Sequence, residues 1–328
     1  MGITLTKIAL TKVSPERETF RISYGPPPDA LVHSIQNVGI LNPPWLRPLE
    51  DEASDYETVL GYSRIRVARL LGTESLLCRI VGEGVSDKEL LFQNIHDNAS
   101  HRELNPVEQS LALKKSLRYF ERDKVITQIM PVLGLGSSRQ VFERYIGFSD
   151  LPSPLLESLA SGRIPPMNAI SLLRLETGEQ LSLHALFETL KIGVNLQKEF
   201  IENLYECSRR DDLSIVEILK SPPLPEIIND RQKTEGERAG LFRHELRRLR
   251  YPALSSMEIS FRDFLKRLSL PPEVNILSPR FFESEIYRLN IRFKNSKELL
   301  SHMKKLEESL SSQDAPDWFE ENGSKDRK

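Results

Sequence analysis

The segment Tyr56-Glu-Thr-Val-Leu-Gly-Tyr-Ser-Arg-Ile-Arg-Val-Ala-Arg-Leu-Leu-Gly72 combines a strand, a tight turn and a helix. Its aromatic and β-branched start, Tyr56–Leu60, predicts the strand, and Ser63–Leu71 predicts a helix that Gly72 closes. Between them Gly61 lets the backbone turn sharply and leaves the amides of a helix N-terminus open to an anion, close to Arg64 and Arg66. A turn of this kind is able to bind an anion. An ordinary glycine turn with solvated arginines is the alternative.

Further strand and helix patterns flank this segment. Trp45–Pro48 and Ser75–Val81 predict two strands, and the apolar Ile3–Leu10 predicts a first strand. A helix is expected over 29–38, with Asp29 as its N-cap. The N-terminal part of the chain is therefore predicted to be an α+β domain.

The pattern becomes helical further along the chain. Asn105 caps the first of these helices and Pro106 takes position N1. The proline-rich Ser221–Pro225 is interpreted as a linker. The predicted divisions are an α+β domain at 1–105, an all-α domain at 106–222, a small α+β region at 226–310 and a disordered tail at 311–328.

The C-terminal region is predicted to begin with a helix over 226–250. A strand pair, Val274–Leu277 and Tyr287–Phe293, then leads to a last helix, Ser296–Leu310, with Ser296 as its N-cap. This helix carries a stripe of leucines and a methionine, which two copies would bury by pairing. A subdomain that packs within one chain is the alternative.

Composition excludes several classes of protein. The 328 residues are 39% hydrophobic, and no stretch reaches the ~20 apolar residues of a membrane span. Two cysteines, Cys78 and Cys207, are too few for a disulfide scaffold, a four-cysteine zinc site or an iron–sulfur cluster, and both are expected in the core. The net charge of −2 averages over domains, so the local charge is the useful quantity.

Residues 114–148 hold seven basic residues against three acidic ones. Within them Val125–Leu133 and Ser137–Phe148 predict two short helices joined by a glycine turn, which is the pattern of a helix-turn-helix. Ser137 or Ser138 caps the second helix, and Val141 and Ile146 are expected to face the core. An ordinary helical hairpin is the alternative.

Pro131 interrupts the first helix of this pair. Either that helix starts near Ile129 and holds the proline in its first turn, or it is kinked there.

Four ordered segments together resemble the ParB family of chromosome and plasmid partitioning proteins. They are Leu31-x-x-Ser34-Ile35-x-x-x-Gly39-x-x-x-Pro43, Val59-Leu60-Gly61-Tyr62-Ser63-Arg64, Asp97-Asn98-x-x-His101 before Leu104-Asn105-Pro106-x-Glu108, and the helix pair followed by Ser161-Gly162-Arg163-Ile164. The resemblance implies a ParB/sulfiredoxin-like N-terminal domain, a helix-turn-helix middle domain and a small α+β dimerisation domain.

The resemblance also implies a site for CTP and Mg²⁺, and a CTP-dependent DNA clamp with at most weak CTPase activity. Asp97 and Asn98 would hold the metal. The nucleotide residues carried over are Gly61, Ser63, Arg64, Arg66, Asp97, Asn98, His101 and Arg102.

Both nucleotide motifs depart from the family pattern. Tyr62 and Ser63 replace a glutamate and an arginine, Asp97 replaces a glutamate, and His101 stands where an arginine is usual. Each charged hydrogen bond lost at a phosphate costs about 1.5–3 kcal/mol, so weaker triphosphate binding is expected.

The implied function is sequence-specific binding of a palindromic double-stranded DNA site by a homodimer. A ParA-type ATPase partner, a bacterial cytoplasmic location at the nucleoid and no membrane contact follow from the same resemblance. The candidate DNA-binding residues are Thr127, Gln128, Ser137, Ser138, Arg139, Gln140, Arg144, Arg163 and Asn168. Arg139 and Gln140 have side chains suited to guanine and adenine.

Other functions remain open at the level of sequence. A transcription regulator of the same architecture is one. A nuclease or a small-molecule kinase of the ParB/sulfiredoxin fold is another, although no dense carboxylate cluster supports it. Sulfiredoxin chemistry needs a reactive cysteine beside the turn, where this chain has Tyr62 and Ser63.

Overall fold

The computed structural model describes residues 3–49, 55–82, 84–311 and 318–319. Its first part is a four-stranded sheet, and the predicted strands are found there. Strand order is β1-β4-β2-β3, with β2 parallel to β4 and the other two neighbouring pairs antiparallel. The strands are β1 Ile3–Ala9, β2 Trp45–Pro48, β3 Tyr56–Leu60 and β4 Ser75–Val81.

Three helices accompany the sheet, which confirms the predicted α+β class. They are α1 Asp29–Val38, α2 Tyr62–Leu70 and α3 Asp87–His101. The prediction of Asp29 as an N-cap was wrong by one residue, because Pro28 holds the extended capping position and Asp29 is the first helical residue. Its carboxylate still lies in the first turn, where the helix dipole favours negative charge.

The middle part of the chain is helical, as predicted. Its first helix begins with a capping box, in which Asn105 accepts from Glu108 N while the Glu108 carboxylate accepts from Asn105 N. The following helices are α4 Pro106–Ser116, α5 Arg122–Lys124, α6 Arg139–Ile146, α7 Ser153–Ala160, α8 Pro166–Leu172, α9 Thr177–Leu190, α10 Val194–Asp211 and α11 Ile215–Lys220.

The first helix of the predicted pair starts earlier than either expectation allowed. The turn α5 runs directly into a π-helix, Val125–Ile129, where Met130 N donates to Val125 O. The helix ends before Pro131, so the proline lies in the turn and neither starts nor kinks the helix. The missing amide of proline costs nothing at that position.

The second helix of the pair is shorter than predicted. Of its two predicted caps, Ser138 is the N-cap and accepts from Val141 N. Val141 and Ile146 pack against the core as expected but are half-buried, and Phe142 is the buried side chain of this helix. Helical spacing alone did not separate these neighbours.

The sheet domain and the helix pair share one hydrophobic core. Its members run from Phe20 through Val59 and Leu91 to Val125 and Phe142. The predicted boundary at 105 therefore marks a change of secondary structure and not a gap in packing.

The core of the middle domain continues past the predicted boundary at 222. After the proline-rich stretch come α12 Leu224–Asn229 and α13 Glu235–Arg250. Leu224, Phe242 and Leu246 are buried in the same cluster as α7 to α11. The predicted linker is thus a turn within one packed unit, and the single helix expected over 226–250 is two helices.

The C-terminal unit packs around aromatic side chains. It comprises α14 Pro252–Leu268, a hairpin of β5 Val274–Leu277 and β6 Arg288–Ile291, and α15 Ser296–Leu310. Asn295, not Ser296, caps α15, because its Oδ1 accepts from Glu298 N. None of the described helices is long and apolar enough to cross a membrane.

The predicted disordered tail lies mostly outside the described residues. Its two described members beyond residue 311 contradict the prediction. Trp318 is buried against Phe261 and Phe264, and its Nε1 donates to the Tyr287 hydroxyl at 3.1 Å. Burial of a large aromatic ring stabilises this position, although the residues around it in the sequence are polar.

Candidate functional site

A cavity of about 550 Å³ lies between the β3–α2 turn and the C-terminal half of α3. Its volume is within the range of ligand pockets. Seven of the eight residues predicted to bind nucleotide line it: Gly61, Ser63, Arg64, Asp97, Asn98, His101 and Arg102. The structure therefore brings together two motifs that are separated by more than thirty residues in the sequence.

The turn at the cavity wall requires glycine. Gly61 has φ of +88° and is the N-cap of α2. A Cβ atom there would lie 3.0 Å from both Pro44 Cβ and Arg64 Nε. Any other residue would be strained and would push against the arginine that faces the cavity.

Arg64 is the cation closest to this turn. Its Nη1 donates to Asn42 O, and its Nη2 lies 3.9 Å from Asp97 Oδ2. Burial lowers the pKa of Arg64, the Asp97 carboxylate opposes this shift, and the nearby Arg79 adds to it. The guanidinium is thus partly desolvated and only loosely paired, which suits it to an anionic ligand.

The opposite wall is one face of α3. Asn94 is buried and donates to Val59 O at 2.5 Å, and Asn98 Nδ2 donates to Asn94 O at 2.9 Å. Asp97 is half-buried, and His101 Nδ1 lies 2.6 Å from the Asp97 carbonyl oxygen. Amides fixed in this way orient α3 against β3 and place Asp97 at the cavity.

Two predicted nucleotide residues are engaged elsewhere. The Arg102 guanidinium makes a bidentate ion pair with the buried Glu108, at 2.6 and 2.8 Å. Arg66 lies outside the cavity lining, and its Nη1 donates to Gly25 O at 2.6 Å.

Tyr62 belongs to the core as much as to the cavity. Its hydroxyl donates to Thr58 O at 2.5 Å. Burial raises the pKa of Tyr62 far above its usual range, and the Glu57 carboxylate raises it further. The residue stays neutral and braces the turn without adding charge.

The cavity lining also includes residues that the sequence did not predict, among them Trp45 and Arg79. These two are paired in register on β2 and β4, and the Arg79 guanidinium lies 5.9 Å from the Trp45 ring centre. Alternation along β4 buries Leu76 and Cys78 and leaves Arg79 exposed, so strand parity alone marks Arg79 as an outward-facing residue.

The helix pair presents most of its predicted DNA-binding side chains to solvent. Ser138 is occupied as the N-cap, and Arg144 is half-buried. The exposed members are Thr127, Gln128, Ser137, Arg139 and Gln140. Thr127 Oγ1 donates to Asp123 O at 2.7 Å, which leaves its oxygen as an acceptor.

Several cations of residues 114–148 are free of carboxylates. Arg122 pairs with Glu143 at 2.9 Å, and Arg139 is 3.9 Å from the same residue. Within the described residues no carboxylate is within ion-pair distance of Arg118, Lys124 or Arg144. A phosphate backbone would meet unpaired positive charge here.

The two predicted DNA-binding residues that follow the helix pair, Arg163 and Asn168, differ in exposure. Arg163 is exposed and lies 3.3 Å from Glu188 Oε2. Asn168 is buried, and its Nδ2 donates to Val194 O at 3.0 Å and to Gln197 Oε1 at 3.2 Å. A buried amide with both hydrogens engaged is not available to phosphate, so this placement argues against the predicted role of Asn168.

Both cysteines are buried and free. Burial raises the pKa of Cys78 to about 11 and also raises that of Cys207. Neither thiol is therefore activated, in agreement with the expectation that both are core residues.

Comparison with known proteins bears out the resemblance. Residues 4–99 match the ParB N-terminal domain family. The chain is 30% identical over 172 residues to a probable chromosome-partitioning protein ParB of Mycobacterium leprae, covering 49% of each chain. It is 28% identical over 183 residues to the corresponding Neisseria meningitidis serogroup A protein, covering 56% of this chain and 61% of that one. The chain thus spans about half to three fifths of the length of these relatives.

Two solved structures of C-terminally truncated ParB from Caulobacter crescentus are also similar. One is complexed with CTP-γ-S and shares 22% identity, with a TM-score of 0.26 over 56% of this chain and 97% of that chain. The other is complexed to the centromeric parS site and shares 20% identity, with a TM-score of 0.33 over 60% of this chain and 98% of that chain.

Proposed function

We propose that this chain, whose residues 4–99 are a ParB N-terminal domain, is a sequence-specific DNA-binding protein that acts in chromosome or plasmid partitioning. One observation carries the proposal. The ParB N-terminal domain shares its hydrophobic core with a helix pair whose outer face carries unpaired cations. A ligand in the cavity and DNA on the helix pair would therefore act on one packed unit.

The first part of the proposal is that the helix pair binds double-stranded DNA at a palindromic site. The N-terminal residues of α6, Arg139 and Gln140, would contact base edges in the major groove. Arg118, Lys124 and Arg144 would meet phosphates.

The second part is that the cavity binds CTP. The volume of the cavity suits a nucleotide. Gly61 has a left-handed conformation that lets the backbone lie close to a bound phosphate, and Arg64 supplies a loosely paired cation. The phosphates would lie at the N-terminus of α2, where amide groups and the helix dipole favour negative charge.

Mg²⁺ would be held by Asp97 and Asn98 together with phosphate oxygens. Magnesium is commonly bound through one or two carboxylates plus substrate phosphates. Within the described residues no group of three or more His, Cys, Asp and Glu side chains is placed to hold a metal, so binding would depend on the nucleotide.

The third part is a homodimer formed through the C-terminal unit. Strand β6, the segment after it and α15 have exposed apolar side chains within the described part of the chain: Leu289, Phe293, Leu300, Met303 and Leu310. A second copy would cover them. Replacing Leu300 with Lys is expected to shift the chain towards monomer in sedimentation equilibrium. A dimer that persists unchanged would contradict this surface.

The remaining parts follow from the resemblance alone. They are a ParA-type ATPase partner, a bacterial cytoplasmic location and association with the nucleoid. Co-purification with an ATPase encoded nearby would test the partner, and a fluorescent fusion that forms nucleoid foci would test the location.

A nucleotide titration tests the cavity. Labelled CTP, ATP and GTP are titrated with Mg²⁺, with and without DNA. CTP should bind more tightly than ATP and GTP. Arg64→Gln should lower the affinity for CTP about tenfold or more, because a charged hydrogen bond is lost. The matched control is Arg66→Gln, on the same helix but outside the cavity. Absence of CTP binding in every condition would overturn this part.

Two other functions predict different results. A transcription regulator of the same architecture would bind promoter DNA and would leave plasmid inheritance unchanged when deleted. A nuclease would cut plasmid DNA with Mg²⁺, and Asp97→Asn would abolish the cutting.

A further inference from the structure

Two arginines face the proposed nucleotide cavity from neighbouring elements. Arg64 comes from the first turn of α2, and Arg79 comes from β4. No other residue of β4 lines the cavity within the part of the chain that the structure describes. The Trp45 ring lies beside the Arg79 guanidinium at 5.9 Å, and this cation–π contact favours a position at the cavity wall.

The charge of these two arginines is poorly compensated. Arg64 lies 3.9 Å from Asp97, at the limit of an ion pair, and no described carboxylate lies within that limit of Arg79. Both side chains line the same cavity, so their positive charges face one enclosed space. Like charges placed together at a cavity wall are unfavourable unless an anion lies between them.

The other basic side chains of the cavity are less available. Arg102 holds Glu108 through both nitrogens, and His101 is exposed and turned to the Asp97 carbonyl. The turn itself contributes only neutral side chains, Tyr62 and Ser63. Arg79 is therefore the second cation that can meet an anion in this cavity.

We propose that Arg79 and Arg64 form a clamp for the phosphate groups of the nucleotide, with Arg79 supplying the positive charge that the glycine turn lacks. This inference rests on the proposed nucleotide site and deepens it. An anion between two guanidiniums would accept hydrogen bonds from both and remove their repulsion. The clamp selects for polyphosphate groups, because one phosphate alone gains less from two separated cations.

The test compares Arg79→Gln with Lys7→Gln. Lys7 is an exposed cation on β1 of the same sheet and lies outside the cavity, so it controls for overall charge. CTP with Mg²⁺ and inorganic tripolyphosphate are titrated separately. Arg79→Gln should lower the affinity for each of the two probes about tenfold to a hundredfold. Arg79→Lys should lower these affinities less, and Lys7→Gln should change them less than twofold.

Thermal unfolding without ligand gives a readout that a merely structural role would not produce. Because the substitution relieves repulsion, Arg79→Gln should melt at or above the wild-type temperature. If Arg79 had only a structural role, its replacement would lower the melting temperature.

The outcomes separate this inference from the proposed function. If the wild type binds CTP and Arg79→Gln binds it equally well, the clamp is wrong and the nucleotide site stands. If the wild type binds tripolyphosphate in an Arg79-dependent way and binds no nucleotide, the clamp stands and the CTP proposal fails. Binding of neither probe would overturn both.

Discussion

Two stretches of the chain, 114–148 and 231–250, have the same net charge in the sequence, but the fold pairs their basic side chains with carboxylates to different extents. Each contains seven basic residues against three acidic ones. In the second stretch, carboxylates from other helices neutralise three of the five arginines of α13. Arg243 pairs with Glu199 at 2.7 Å, Arg247 pairs with Glu258 at 2.7 Å, and Arg250 pairs with Glu206 at 2.5 Å.

The first stretch keeps part of its charge free. Its two strongest pairs, Lys114 with Asp150 and Arg122 with Glu143, leave Arg118, Lys124 and Arg144 without a described carboxylate. The difference teaches that a basic run indicates a nucleic-acid surface only when the fold supplies no counter-charges. The basic face of α13 instead holds this helix to its neighbours.

The largest expected effect concerns the structural role of α13. Phe242 is fully buried against Phe200, so Phe242→Ala should lower the free energy of unfolding by about 3–5 kcal/mol. Leu241→Ala, at a neighbouring exposed position, should change it by less than about 1 kcal/mol. Urea denaturation measures both. Equal small effects would mean that α13 is not part of the core.

The next effect separates the two surfaces by DNA affinity. The double variant Arg139→Ala/Arg144→Ala should weaken binding to the specific site by more than about fivefold, since the base contact of Arg139 contributes about 1–3 kcal/mol and the phosphate contact of Arg144 is also lost. The matched double variant Arg243→Ala/Arg247→Ala on α13 should bind within about twofold of wild type. Fluorescence anisotropy measures both. Reversed effects would exchange the roles of the two surfaces.

A smaller effect is expected in the salt dependence of binding. Lys124→Gln should reduce the slope of log affinity against log salt by about 0.9, because one phosphate contact releases about that many counterions. Arg247→Gln should leave the slope unchanged, since its charge is already paired with Glu258. An unchanged slope for Lys124→Gln would remove this lysine from the interface.

The smallest effect comes from freeing cations. Glu143→Gln should release Arg122 and Arg139 and raise DNA affinity a few-fold at low salt, and screening should abolish the gain at about 1 M salt. Glu199→Gln should free Arg243 on the other surface without any gain. A gain from Glu199→Gln would show that α13 also contacts DNA.

Local signals predicted the elements of this fold well. The bounds of β2, β3, β4 and α1 agree with the structure, because alternation and helical spacing act within a few residues. The errors have non-local causes. Ser221–Pro225 has the composition of a linker, yet Leu224 is held in a core made by helices far away in sequence. The π-helical turn before Pro131 has no marker in the residue pattern.

The candidate site was predicted in part. The glycine turn and Asp97-Asn98 were found by motif, and the structure brings them to one cavity. Arg79 was missed because only the parallel pairing of β2 with β4 places it beside Trp45. The burial of Asn168 depends on Gln197, which is distant in sequence, so no local pattern shows it.

The core shared by the sheet domain and the helix pair has a consequence for how the molecule opens. Residues from Val59 to Phe142 contribute to one cluster, while the aromatic cluster of α14 and the hairpin is separate. Amide hydrogens of β3, α3 and α6 should therefore exchange with solvent through the same cooperative opening, and those of the C-terminal unit through another. A ligand that tightens the cavity would slow hydrogen exchange as far away as α6. The effect would reach the helix proposed to bind DNA without any contact between the two ligands.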